Sequence, residues 1–181
     1  KNLGTDIQPY FMTLEFMRLH GINAKYIAKF HNKSDIDYIY KCVSYLHNTI
    51  NMPGLKAILE QLDSKSDVAT AAYQEYVMPN YHVIQILDEY FPGMIVNPNT
   101  QTLNLINFAA GSSFVSRANI QLAILEKYAE LIKLSILSAQ YYTGWIFNIN
   151  SPVHALERII GGFYAKSIGM DIMPVPPIAT S

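Results

Sequence analysis

The chain reads as an α/β protein, a single domain over residues 1–170 followed by an extended, proline-rich tail over 171–181. Three observations predict this. Segments with apolar residues at helical spacing alternate with short apolar runs of strand length. At 181 residues and 50% hydrophobic, the chain can bury one real core but hardly two. The first short run, Tyr26-Ile27-Ala28-Lys29-Phe30, ends abruptly in His31-Asn32-Lys33-Ser34-Asp35-Ile36-Asp37. A buried strand that delivers an imidazole, an ammonium and two carboxylates at its end is laid out like the floor of an α/β site, because open sheets bind ligands at the carboxyl ends of their strands.

Taken in order, the polar start at Lys1 leads into Ile7, Phe11, Leu14 and Met17, a helical spacing that Thr5 or Asp6 can cap and Gly21 can end. The strand Tyr26 to Phe30 follows. Past its polar loop, Ile36, Tyr40, Val43 and Leu46 predict another helix, and Pro53, suited to a first turn, opens the next with Leu55, Ile58, Leu59 and Leu62 behind it. Asp63 to Asp67 is a solvated connection and Val68 to Tyr73 a strand. Val83, Ile84, Leu87 and Phe91 mark a helix stopped by Pro92-Gly93. Asn97 to Thr102 is a loop, and Leu103 to Phe108 alternates as a strand.

The small residues Ala109-Ala110-Gly111-Ser112-Ser113, set before the apolar run Phe114-Val115, suggest backbone approaching a ligand or another strand closely. Asn119 to Tyr141 reads as one helix, broken by Gly144. Ser151-Pro152 opens the last, the serine as cap and the proline at the first helical position. Met173-Pro174-Val175-Pro176-Pro177 is expected to be extended.

The formal charge of -1, with scattered Lys and Arg, argues against a nucleic-acid footprint or a polybasic membrane patch. A neutral or anionic small ligand stays open. Cys42 is the single cysteine, which excludes an internal disulfide and a thiolate zinc cluster and fits a reducing, cytoplasmic setting. No run of about 18 apolar residues predicts a transmembrane segment.

Several constellations can carry chemistry. Asp35-Ile36-Asp37 offers hard oxygens for Mg²⁺ or Mn²⁺, or simply acids favouring a helix start. His31 and Lys33 alternate from the end of one strand, so both can face one cleft, or cap the strand and face solvent. Gly111-Ser112-Ser113 lacks the further glycines or lysine of a phosphate loop or nucleophile elbow, which leaves a turn with backbone amides free for a ligand. His154 and Glu157, one turn apart, suit a metal ligand and a general base, or a surface helix in which Glu157 pairs with a cation.

Together, Asn2-x-Gly4-x-Asp6, Lys29-Phe30-His31-Asn32-Lys33-Ser34-Asp35, Phe108-Ala109-Ala110-Gly111-Ser112-Ser113-Phe114 with Arg117, and His154-Ala155-Leu156-Glu157-Arg158 resemble, in order and spacing, the rhamnan-synthesis protein F family of glycosyltransferase-like proteins. The resemblance covers about residues 1 to 164. Thr5, Asn32 and Ser113 depart from the family's pattern of arginine, threonine and a larger apolar residue.

The resemblance implies a GT-A-like (Rossmann-like) mixed sheet flanked by helices, whose first, nucleotide-binding strands are expected to precede Lys1. It further implies a glycosyltransferase, hexosyl- or deoxyhexosyl-, that moves a sugar from a nucleotide-sugar donor to a glycan acceptor in polysaccharide synthesis. On that reading Asn2, Asp6, His31, Lys33, Gly111, Ser112 and Arg117 bind donor or substrate. Asp35, Asp37 and His154 hold Mn²⁺ or Mg²⁺, and Glu157 or Asp37 deprotonates the acceptor. The rival reading is a non-catalytic module that binds glycan or protein on a degenerate transferase fold.

Overall fold

A computed structural model describes residues 7–30, 52–72, 74–75, 81–104, 106–109, 113–141 and 151–175. Among them the chain forms an α/β fold around a four-stranded mixed sheet. The first helix, α1, spans Ile7–Leu19 and buries Ile7, Tyr10, Phe11 and Leu14, the i, i+3, i+4, i+7 face. Gly21 ends it at φ 61, with Ile22 N–H donating to the Met17 carbonyl at 2.9 Å and Gly21 N–H to that of Arg18 at 3.3 Å. This is the Schellman pattern, and it needs a residue free to adopt the left-handed region.

Strand β1 is Tyr26–Lys29, helix α2 Met52–Ser64 and strand β2 Val68–Ala72. A two-residue strand β3, Gln74–Glu75, pairs with β4, Phe108–Ala109, and helix α3, Tyr81–Tyr90, lies between them in sequence. Strand β5, Phe114–Arg117, leads directly into α4, Ala118–Lys127, and α5, Ala129–Tyr141. The last helical run is α6, Ser151–Arg158, a widened π-type turn Ile159–Phe163, and α7, Tyr164–Ser167, before strand β6, Asp171–Pro174.

The sheet order is β1-β5-β2-β6. Strand β5 runs antiparallel to both of its neighbours, while β2 and β6 are parallel, so β1, β2 and β6 all point the same way. Strand residues alternate between two cores. Phe114 and Ile172 enter the larger one, under α1, α3, α4, α5 and α6, whereas Val115 and Met173 enter a smaller one with Ile58 and Leu62 of α2. Every residue of β2 is buried, as expected of a central strand covered on both faces.

A buried polar chain crosses the larger core. Tyr10 Oη–H donates to Gln121 Oε1 at 2.8 Å, and Gln121 Nε2 donates to Ser116 Oγ and to the Ile160 carbonyl, both at 3.1 Å. Thr70 Oγ1 donates to Ser116 Oγ at 3.0 Å, and Ser116 Oγ in turn to the Ala69 carbonyl at 3.2 Å. Four separate pieces, α1, α4, the sheet and the π-type turn, are thereby joined through one amide.

Three expectations are corrected. Leu103 to Phe108 is not one strand: Leu103 forms only an isolated bridge with Val96, and Phe108 begins β4. The Asn97 to Thr102 turn closes on itself, Asn97 N–H to the Thr102 carbonyl at 2.8 Å, and uses up the pairing there. The long helix is bent at Tyr128 (φ -112, ψ 26), whose buried ring packs on Tyr90, Phe91 and Tyr164. The segment read as the start of a tail is extended, but Asp171–Pro174 pairs with β2 as an edge strand and belongs to the domain. Proline is tolerated there because an edge strand can spare a donor. The helix expected around Ile36 to Leu46 lies outside the described residues.

Replacing Gln121 with Leu keeps the volume but strands the Tyr10 hydroxyl and the Ile160 carbonyl in the core. Urea unfolding is expected to show a loss of about 2–4 kcal/mol at an unchanged m-value.

Candidate functional site at the carboxyl edge of the sheet

Register brings the strand ends together. Lys29 lies opposite Phe114, Ala71 opposite Val115 and Ala72 opposite Pro174. The carboxyl ends of β1, β2 and β6 and the start of β5 therefore share one edge of the sheet. Phe30 leaves that edge immediately before His31, and Ser113 enters it immediately after Ser112. The segments His31 to Asp37 and Ala110 to Ser112 themselves lie outside the described residues.

Lys29 reaches this edge almost fully buried, its Nζ 5.6 Å from the centroid of the Tyr10 ring. A lysine is rarely so buried without partners, and the ring's negative face is one of them. Beside it a groove of about 340 Å³ runs between α1 and β1, lined by Tyr10, Thr13, Ile27, Lys29 and Phe30. A larger groove, about 480 Å³, lies between α1 and α5 against Arg18, Ile132 and Leu137. It shares no lining residue with the strand edge, so size alone does not pick the site.

The β3–β4 ribbon extends past the same edge and is held from behind by the last helical run. A Cβ on Gly161 would sit 3.2 Å from both Ala109 N and Ala109 O, and one on Gly162 would sit 2.0 Å from Ile172 Cδ1. Gly162 also has φ 141, a region open to glycine and strained for other residues. Two adjacent glycines let the helix widen and lie directly on the Phe108–Ala109 backbone. One turn earlier, Arg158 Cζ lies 4.8 Å from the Phe108 ring centroid.

On α6, His154 Nδ1 is 3.5 Å from Glu157 Oε2, at the outer limit of a hydrogen bond. His154 is 44% exposed on its side chain, Glu157 18% and Arg158 8%. The same Glu157 oxygen is 3.9 Å from Arg158 Nη1, which donates instead to the His154 carbonyl at 2.8 Å. A carboxylate held between an imidazole and a guanidinium, yet still reachable by water, can accept a proton from a bound hydroxyl.

A second polar cluster lies at the base of the ribbon. Lys166 Nζ donates to Asn107 Oδ1, and Asn107 Nδ2 to Gln74 Oε1, while Gln74 Nε2 donates to the Ile172 carbonyl at 2.9 Å. Burial pushes the Lys166 ammonium below its usual pKa, against a smaller opposing pull from Asp171 at 3.9 Å.

Of the residues singled out from the sequence, Asn2, Asp6, His31, Lys33, Asp35, Asp37, Gly111 and Ser112 lie outside the described residues. His154 and Glu157 are brought together. Arg117 is placed elsewhere: it pairs with Tyr26, at the other end of β1 from Lys29. Its guanidinium donates to the Val68 carbonyl at 2.7 Å, the Lys65 carbonyl at 2.9 Å and the Leu62 carbonyl. Arg117 thus clips the last turn of α2 to the sheet, satisfying carbonyls that a helix end leaves without partners.

Lys29, Arg158, Asn107 and Lys166 went unassigned in the sequence. A charged residue inside an otherwise apolar run was the available signal for Lys29, and i, i+4 spacing from His154 for Arg158. Asn107 and Lys166 meet only through tertiary packing. Among the described residues no three His, Cys, Asp or Glu side chains converge on a point that could hold a metal ion. Among the described residues, too, no helix is long and apolar enough to cross a membrane. Comparison with family models, curated proteins and solved structures gives no match.

Alanine at Gly161 must push the helix off Ala109, and alanine at Gly162 adds a strained φ to a collision with the buried Ile172. Thermal and urea unfolding should rank them, with Gly161→Ala costing about 1–2 kcal/mol and Gly162→Ala about 2–4.

Proposed function

We propose that this chain is a glycosyltransferase with a GT-A-like sheet, transferring a sugar from a nucleotide donor to a glycan acceptor. One observation carries the reading. Two of the four segments behind the family resemblance are far apart in sequence yet meet, the Arg158 guanidinium of one lying over the Phe108 ring of the other, and a third begins at the end of β1, where Lys29 lies opposite Phe114. A mixed sheet with helices on both faces supports that reading.

In the proposed reaction the acceptor oxygen forms its bond to the anomeric carbon while the bond from that carbon to the donor diphosphate breaks. The electron pair leaves on the diphosphate oxygen. The acceptor's proton passes to a carboxylate, which we assign to Glu157, with Asp37 as the other candidate. His31 and Lys33 are assigned to the leaving diphosphate, Asn2 and Asp6 to the donor, and the Gly111 and Ser112 backbone to the sugar or acceptor. Cations at a leaving phosphate lower the barrier because negative charge develops there. Arg117, at the opposite edge, takes no part.

The described residues do not by themselves fit a divalent metal. His154 and Glu157 offer one nitrogen and one carboxylate already close to each other, short of the oxygen-rich shell that Mg²⁺ and Mn²⁺ prefer. Asp35 with Asp37 remains the proposed place for one.

The test is turnover of common nucleotide sugars with and without Mn²⁺, with Glu157→Gln alongside. The expected outcome is a fall of about 10²–10⁴ in kcat for Glu157→Gln at unchanged donor affinity. Donor binding without turnover in the wild type would assign the chain to a non-catalytic binding module instead. Absence of both binding and turnover with every donor would overturn the proposal.

A further inference from the structure

We propose that Arg158 is an anion-binding residue whose guanidinium takes an oxygen of a phosphoryl group, the donor diphosphate if the transferase reading on which this identity rests is right. Arg158 is 7% exposed, so its charge has been taken almost wholly out of water. A guanidinium has five N–H donors in a rigid fork and stays charged in proteins. Burial pulls its pKa down, as it must for a cation, and Glu157 only partly opposes that.

The protein's own groups leave the fork under-used. Nη1 donates to the His154 carbonyl at 2.8 Å. The Glu157 carboxylate stands 3.9 Å from the same nitrogen, beyond hydrogen-bond range. The Phe108 ring covers one face of the guanidinium. Nε is buried and has no hydrogen-bond partner. A buried charge with an unmade hydrogen bond is costly, and breaking even with an apolar side chain requires nearly every donor to be paired.

A purely structural role does not explain that choice of residue. Packing on Phe108 needs only an apolar stem, and the His154 carbonyl sits inside a continuous helical run where water or the backbone can serve it. Only a bidentate acceptor uses the fork, and phosphoryl oxygens match its planar geometry.

The probes are inorganic pyrophosphate and uridine diphosphate, titrated calorimetrically into the full chain and into Arg158→Met and Arg158→Lys, with thermal unfolding of each protein alone. Wild type is expected to bind pyrophosphate, Arg158→Met to unfold at or above the wild-type Tm, and both variants to bind about tenfold more weakly or worse. If Arg158→Met fails to fold, Arg158→Lys, which keeps the charge and loses the fork, decides alone. No binding of either probe to wild type, or equal affinity in wild type and Arg158→Lys, overturns the proposal. Pyrophosphate bound through Arg158 with no nucleotide sugar turned over would leave this site standing and remove the transferase reading. Full turnover by Arg158→Lys would do the reverse.

Discussion

The buried amide of Gln121 is the interaction on which the rest of the arrangement depends. Its oxygen receives the Tyr10 hydroxyl of α1, and its nitrogen reaches both β5, at Ser116, and the π-type turn, at Ile160. A polar group this deep is tolerated only because its hydrogen bonds are made. The requirement works in both directions. The amide fixes the distance from α1 to the sheet, and it accepts the burden of a carbonyl in the turn where the helix widens. Burial raises the Tyr10 hydroxyl well above its ordinary pKa, so the donor at the head of this chain keeps its proton at any ordinary pH.

From that constraint follows the close approach behind the candidate site. With Ile160 held, Gly161 and Gly162 lie against Ala109 and Ile172, where a Cβ would be tight at Gly161 and would collide at Gly162. Helical widening of this kind interrupts the regular i→i−4 ladder and is found disproportionately at functional sites. Here it lets one helix do two things. Its first half presents His154, Glu157 and Arg158, and its second half presses the β4 backbone into place. The Lys166 to Asn107 to Gln74 chain then ties the same strand from the other end.

The charged groups are distributed unevenly between the two edges of the sheet. Arg117, at one edge, has its donors directed to three carbonyls and closes a helix end. Arg158 serves one carbonyl and covers an aromatic ring, leaving Nε without a partner. The first arrangement is what stability alone would select. The second leaves one buried donor without a hydrogen-bond partner, at a cost in free energy.

Much of the architecture follows from the sequence alone. Apolar spacing determined α1, α2 and α3, because a helix must bury one stripe; Gly21 and Pro92-Gly93 determined where two of them stop. The run Tyr26 to Phe30 determined β1 and pointed to its carboxyl end. The four segments behind the family resemblance were legible only as local strings, since neither composition nor periodicity says which of them meet. Tertiary structure decided that Lys29 lies across from Phe114, that Arg158 stacks on Phe108 and that Arg117 belongs to the opposite edge. It also turned the proline-containing segment Asp171–Pro174 into a strand, because pairing with β2 depends on a partner about a hundred residues away. The physical reason is the same throughout. Local spacing governs which face a residue shows, whereas which faces meet is settled by burial and hydrogen-bond satisfaction summed over the whole chain.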